Sequence, residues 1–261
     1  MHSHLIQPNF SKDKAIEIKK KMWYNLFKRK IGGDFMIFGG LRKLSTLDYP
    51  TKLCATVFTK ACNFRCPFCH NSSLAFGDGE NITEEEFFSF LSKRKGLLDA
   101  VCISGGEPLL HDVTDFIKKI KDMGFLVKLD TNGSFPHKLS ELIDAGLLDY
   151  VAMDIKNSQN KYAETSGVEV DFESIKKSVS VLMEGKIDFE FRTTVVKGLQ
   201  DEKSMKEIGE WISGDEKYFL QMFVPSEHTI AQGLLPYSKE ELEALREVVL
   251  PYVPNTFLRG V

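Results

Sequence analysis

Apolar and polar positions follow two periods along most of the chain. Short runs at 55–59 (Ala-Thr-Val-Phe-Thr), 100–104 (Ala-Val-Cys-Ile-Ser), 126–129, 150–153 and 218–224 are mostly apolar, and 189–196 (Phe-Glu-Phe-Arg-Thr-Thr-Val-Val) is a further strand-like run rich in aromatic and β-branched residues. Such runs predict strands buried on both faces. The stretches between them repeat apolar residues at helical spacing, which predicts helices over about 83–95, 113–123, 139–144, 172–183, 202–212 and 238–249. Thr83-Glu-Glu-Glu86 and Ser238-Lys-Glu-Glu241 read as capping boxes, and Gly124 and Gly185 stand where helices should end. Phe257-Leu258 is expected as a last edge strand. Strands alternating with helices predict an α/β fold, a parallel sheet with helices outside. About six β/α units are too few to close an eight-stranded barrel.

Residues 1–35 break this pattern. Lys19-Lys20-Lys21 and Lys28-Arg29-Lys30 surround Met22-Trp23-Tyr24 and Leu26-Phe27, as in a short basic amphipathic helix. The expectation is a basic extension at 1–35, poorly ordered or not translated, and a single folded domain at 36–261. Gly32-Gly33-Asp34 can be encoded by a purine-rich, ribosome-binding-like sequence, so translation is expected to begin at Met36. A native peptide containing Trp23 would refute that start. The 261 residues otherwise suit one domain.

A net charge of −3 gives no reason to expect a nucleic-acid surface. No apolar run approaches a membrane span, and no secretory segment follows the N-terminus. Five cysteines, three of them crowded, do not make a disulfide framework; reduced thiols in a cytoplasmic protein are expected. Cys54 and Cys102 lie inside strand runs and read as small core residues.

The other three are Cys62, Cys66 and Cys69, spaced C-x3-C-x2-C in a loop after the first parallel strand. Clustered thiolates select zinc, copper(I) or iron–sulfur. Structural zinc takes four ligands, often as paired half-sites, and there is no second C-x2-C; His70 adjoins Cys69 too closely for an easy tetrahedron. A four-iron cluster held by three cysteines leaves one iron open to a ligand.

That spacing resembles the radical S-adenosylmethionine (SAM) enzymes. Gly105-Gly106-Glu107-Pro108 follows the next strand, Asp130-Thr131-Asn132-Gly133 the one after it, and Met153-Asp154-Ile155-Lys156 the next. With Leu44–Pro50 and Cys69-His70-Asn71, the chain from Met36 onward is similar to the activating enzymes of glycyl-radical proteins. It is most similar to the long form of the anaerobic ribonucleoside-triphosphate reductase activating protein, with pyruvate formate-lyase activase as a cousin.

The resemblance implies a partial, TIM-like (β/α)6 barrel with its chemistry at the C-terminal strand ends. It implies a [4Fe-4S] cluster on Cys62, Cys66 and Cys69, whose electron cleaves SAM to methionine and a 5′-deoxyadenosyl radical. By the same resemblance, the backbone at Gly105, Gly106 and Glu107 receives the ligand's ammonium, and Phe68 and His70 contact the adenine. Lys156, with Arg192, neutralises the carboxylate. Asp130, Thr131, Asp154 and the Ala152 carbonyl would hold a monovalent cation, and Asp48 would lie near the partner's glycine loop. The implied partners are a glycyl-radical protein, anaerobic ribonucleoside-triphosphate reductase first, and a flavodoxin or ferredoxin electron donor. Two other readings remain at this point: a small-molecule radical enzyme such as 7-carboxy-7-deazaguanine synthase, and an electron carrier or zinc module without turnover. Two positions depart from the family pattern, Thr51 and Ala61 standing where glycine is usual. There is no inserted ferredoxin-like cysteine set. Gln221 and His228 compete for a last ligand contact, and His111 and His137 are expected at the surface.

Overall fold

The protein is described by a computed structural model covering residues 36–214 and 217–261. The expected extension at 1–35, and the start at Met36, concern chain outside the described residues. The α/β fold forms one compact unit over Phe38–Val261.

Six apolar runs form the parallel strands β2 (Cys54–Thr59), β4 (Ala100–Gly105), β5 (Leu126–Thr131), β6 (Tyr150–Asp154), β7 (Asp188–Lys197) and β8 (Tyr218–Met222). β10 (Thr256–Arg259) adds to β8 in parallel. β1 (Ile37–Ser45) pairs antiparallel with β2 and carries two irregularities. The short strands are β3 (Ile82–Thr83) and β9 (Leu235–Pro236); the sheet order is β10-β8-β7-β6-β5-β4-β2-β1-β3, with β9 on β7. The sheet curves as a partial barrel that does not close, since β10 and β3 end the path. Gly39-Gly40 interrupts β1, which is why its apolar pattern gave no strand.

Helices cover the outer face. They are α1 (Ser72–Ala75), α2 (Glu84–Ser92), α3 (Thr114–Asp122), α4 (Pro136–Asp144), α5 (Tyr162–Ser166), α6 (Phe172–Met183), α7 (Glu202–Trp211) and α8 (Lys239–Val249). Both expected capping boxes form, and Asp201 with Ser204 makes a third. α4 begins three residues early because Pro136 supplies a first turn that needs no N–H. Phe38, Phe87 and Phe116 pack between β1, α2 and α3, with centroids 4.7–6.0 Å apart. No helix among the described residues is long and apolar enough to cross a membrane.

The inner face is polar. Arg259 grips the buried Glu190 at 2.9 and 3.1 Å, and the Tyr150 hydroxyl donates to the same carboxylate. At the N-terminal end of the strands Tyr49 packs on Tyr150, 5.6 Å between centroids, together with Cys54, Ala100 and Cys102. This floor leaves the opposite, C-terminal end for a ligand. Asp48 also lies on the floor side. It accepts from Arg42 at 2.9 Å and from the Thr56 hydroxyl, and so pins the β1–β2 turn. His111 is not a surface residue: its ring Nε2 lies 2.7 Å from the Lys60 carbonyl. His137 is exposed, as expected.

Candidate active site at the C-terminal strand ends

The strand ends deliver the cysteine loop and residues of the three following strand-end motifs to one cavity of about 320 Å³, while Leu44–Pro50 lies outside it. It is lined by Cys62, Cys66, Cys69, Phe68 and His70 from the loop after β2, and by Gly105 and Gly106 after β4. Asp130 and Thr131 come from β5, Asp154 and Lys156 from β6, and Arg192 from β7.

The cysteine loop is built from its own backbone. Cys69 N–H donates to the Cys66 carbonyl at 3.0 Å, so the C-x2-C segment is one tight turn. Arg65 donates to the carbonyls of Cys62 and Phe64 at 2.6 and 2.7 Å. Two donors face the Cys62 sulfur, the Phe64 N–H at 3.3 Å and the Asn132 amide at 3.8 Å. Donors of that kind stabilise a thiolate once a metal has displaced its proton. Without one, burial pushes the Cys62 thiol up to about 12 and Cys66 up to about 11, and raises Cys69. No group of three or more His, Cys, Asp or Glu side chains among the described residues is arranged to hold one metal ion.

Gly105 and Gly106 are required by packing within the chain. A Cβ at Gly106 would lie 1.9 Å from the Ala61 carbonyl oxygen, and one at Gly105 would lie 2.5 Å from the Thr59 backbone. The glycines thus let the loop after β4 lie against the strand that carries the cysteines. Glu107 turns inward and is fully buried, away from the cavity. Its carboxylate accepts from Leu109 N–H at 3.0 Å, Thr131 Oγ1 at 2.9 Å and Asn132 N–H at 2.7 Å. Burial raises its pKa to about 7 against the pull of those three donors. Glu107 is therefore a brace between two rim loops, and Thr131 spends its hydroxyl on that brace.

A charged network forms the far wall. Asp154 accepts from Lys156 Nζ at 2.9 Å and from Arg192 Nε at 2.9 Å. Burial opposes its ionisation, but Arg192 and Lys156 outweigh burial and hold the carboxyl at about 2. Burial likewise opposes the charge on Lys156, and Asp154 reverses the effect, raising its pKa. Asp130 accepts from Ser104 Oγ at 2.9 Å and from Lys128 Nζ, with Arg192 Nη1 at 3.5 Å. The Lys156 carbonyl is fixed by Gln200 at 2.8 Å, and its ammonium lies 5.9 Å from the Phe68 ring centroid. His70 is exposed and packs edge-on to Phe223 at 5.6 Å.

Sequence reasoning missed Asn63, Asn132, Lys128 and Thr194. Asn132 and Asn63 link the loop after β5 to the cysteine loop at 2.9 Å. Lys128 carried a readable signal: a lysine inside an otherwise apolar strand run needs a buried partner. Gln221 lines the cavity, whereas His228 is 75% exposed and does not.

Residues 56–211, more than half of the chain and all the loops just described, match the radical SAM superfamily. The chain belongs to that superfamily. Among radical SAM relatives, a Methanocaldococcus jannaschii protein provisionally named a glycyl-radical enzyme activating enzyme is 35% identical, over 86% of this chain and 96% of its own. A second such protein from the same organism is 27% identical, over 84% and 85%. A domain of pyruvate-formate lyase-activating enzyme from Bacteroides vulgatus superposes with a TM-score of 0.51 at 20% identity, covering 62% of this chain and 99% of that one. That likeness supports the partial-barrel fold. The chain is thus a radical SAM enzyme related to proteins named as glycyl-radical activating enzymes.

Proposed function

We propose that this enzyme cleaves SAM reductively and removes a hydrogen atom from a glycine of a partner protein. One observation carries the reading: three thiols and the Lys156–Asp154–Arg192 network line one cavity, in a barrel that stays open. The donor set suits a four-iron cluster, in which Cys62, Cys66 and Cys69 each take a different iron. Structural zinc is disfavoured by the ligand set, since it takes four ligands and His70 adjoins Cys69 too closely for an easy tetrahedron. When bound, the cluster supplies one electron to the sulfonium of SAM, giving methionine and a 5′-deoxyadenosyl radical.

The chain's own residues bind and orient. Lys156 and Arg192 present positive charge to the methionine carboxylate, and Asp154 fixes both cations in place. In this reading Phe68 and His70, which line the cavity, contact the adenine. The backbone at Gly105 and Gly106 borders the ligand, and Glu107 holds that loop from behind. Residues 36–261 form the catalytic domain in this reading. Since the relatives carry names of glycyl-radical activation, the partner is a glycyl-radical protein, with anaerobic ribonucleoside-triphosphate reductase ahead of pyruvate formate-lyase. A flavodoxin or ferredoxin supplies the electron.

The test mixes anaerobically reconstituted enzyme, SAM and reductant with each candidate partner. A glycyl-radical doublet in the electron paramagnetic resonance spectrum is expected, lost in Cys62→Ala, Cys66→Ala and Cys69→Ala but kept in Cys54→Ala. A doublet on pyruvate formate-lyase alone would change the partner. Small-molecule turnover with no doublet on any glycyl-radical protein would overturn the activase reading.

A further inference from the structure

Lys128 is 2% exposed, on β5, two residues before Asp130 and on the same face of the strand. A lysine so buried keeps its charge only beside a fixed counter-charge. Its ammonium donates to Asp130 Oδ1 and lies 3.9 Å from Cys102 Sγ. Lys128 does not line the cavity; it stands behind Asp130, which does.

The donors that a small cation would need at this rim are already engaged. Asp130 Oδ1 takes Lys128, and Oδ2 takes the Ser104 hydroxyl. The Asp154 oxygens take Arg192 and Lys156. The Thr131 hydroxyl donates to Glu107 and accepts from Gly133 N–H. Ala152 lies inside β6, paired with β5 on one side and β7 on the other. Three side-chain cations already face two carboxylates, leaving one net positive charge for an anionic ligand group. A free cation would add a second positive charge beside these three, and would have to share oxygens that already serve them.

We propose that Lys128 is a tethered counter-cation for the Asp130–Asp154 pair, taking the place of a free monovalent ion, so that SAM binding here is independent of sodium and potassium. Lys128 is thus a positioning residue: its ammonium holds Asp130, and Asp130 holds Arg192 toward the ligand. The inference rests on the SAM reading of the cavity, while the role of Lys128 as counter-ion can be measured without SAM.

The cluster-loaded protein is titrated with SAM in tetramethylammonium, sodium and potassium chlorides at equal ionic strength. The wild-type affinity should agree among the three salts within about two-fold. Lys128→Met should bind about ten-fold or more weakly in tetramethylammonium, the size of one lost charge-assisted bond, and recover with sodium or potassium. In parallel, sodium-23 NMR without SAM should show protein-dependent line broadening in Lys128→Met and none in wild type. Wild-type affinity that rises several-fold with either small ion, or sodium broadening by the wild type, overturns the proposal. So does a Lys128→Met loss that is equal in all salts. If Lys128→Met does not fold, the two wild-type measurements decide. If SAM fails to bind in every salt, the SAM reading falls, and the sodium measurement still decides the role of Lys128.

Discussion

At the two ends of the strand that carries the cysteines, single residues hold backbone angles that their side chains resist. Thr51 has φ of 60° just before β2, and Ala61 has φ of 65° just after it. A left-handed conformation costs a residue with a Cβ about 1–2 kcal/mol, and glycine escapes that cost. These are the two positions where the resemblance to the activating enzymes leads one to expect glycine, and both keep the left-handed backbone that glycine would adopt without strain. Ala61 is fully buried, and its backbone lies against Gly106. Thr51 is exposed and offers the cleaner test. Thr51→Gly should raise stability by up to about 1 kcal/mol in chemical denaturation, the relieved strain being partly offset by the freer unfolded chain. A loss of stability would mean that the threonine side chain makes a contact worth more than its strain.

At the level of elements, Glu107 joins the loop after β4 to the loop after β5, and its ionisation ties that junction to pH. Its folded pKa is raised from 4.5 to about 7. The protonated form is thus favoured by folding. The stability it contributes is complete below the unfolded value, declines as pH rises to about 7, and is gone above it. That slope is worth on the order of 3 kcal/mol across the window. Glu107→Gln should lower stability by a roughly constant offset, because an amide cannot accept from all three donors. It should also flatten the slope seen in denaturation between about pH 5 and pH 7. An unchanged slope would place its origin in another group. The brace also marks the limit of what periodicity reveals. The six parallel strands and the helix caps were legible because apolar runs and capping boxes are local signals. The cysteine loop, Asp154, Lys156 and Arg192 were legible as residues of one cavity because parallel strands share one functional end. The inward turn of Glu107, the engagement of Thr131 and the place of Lys128 depend on which neighbour's oxygen each side chain meets across the sheet. No spacing along the chain records that.

At the scale of the molecule, the sheet is closed at its floor and open along its flank. Tyr49 and Tyr150 fill the N-terminal end and the Arg259–Glu190 pair occupies the interior, so a ligand enters from the C-terminal rim or from the side. Among the described residues, the outer edge of β1 carries just the two-residue β3, and β10 ends the sheet on the other side. A small-molecule enzyme gains by sealing such a gap against water, whereas an enzyme acting on a protein loop needs it. Leucines meet solvent around the β1–β2 turn: Leu47, in the turn, is 87% exposed and Leu44, near the end of β1, is 59% exposed. Large exposed side chains of this kind suit transient burial against a partner. Leu47→Glu should therefore weaken activation of the glycyl-radical partner by about ten-fold, as loss of one buried leucine contact implies. Cleavage of SAM without the partner should stay at its wild-type rate, since Leu47 lies in the turn at the floor end of β2, away from the cysteines. The two rates, measured as doublet yield and as 5′-deoxyadenosine formed without the partner, separate docking from chemistry. Equal losses in both would show that the turn supports the barrel itself, and activation unchanged at limiting partner concentration would move the docking surface away from this turn.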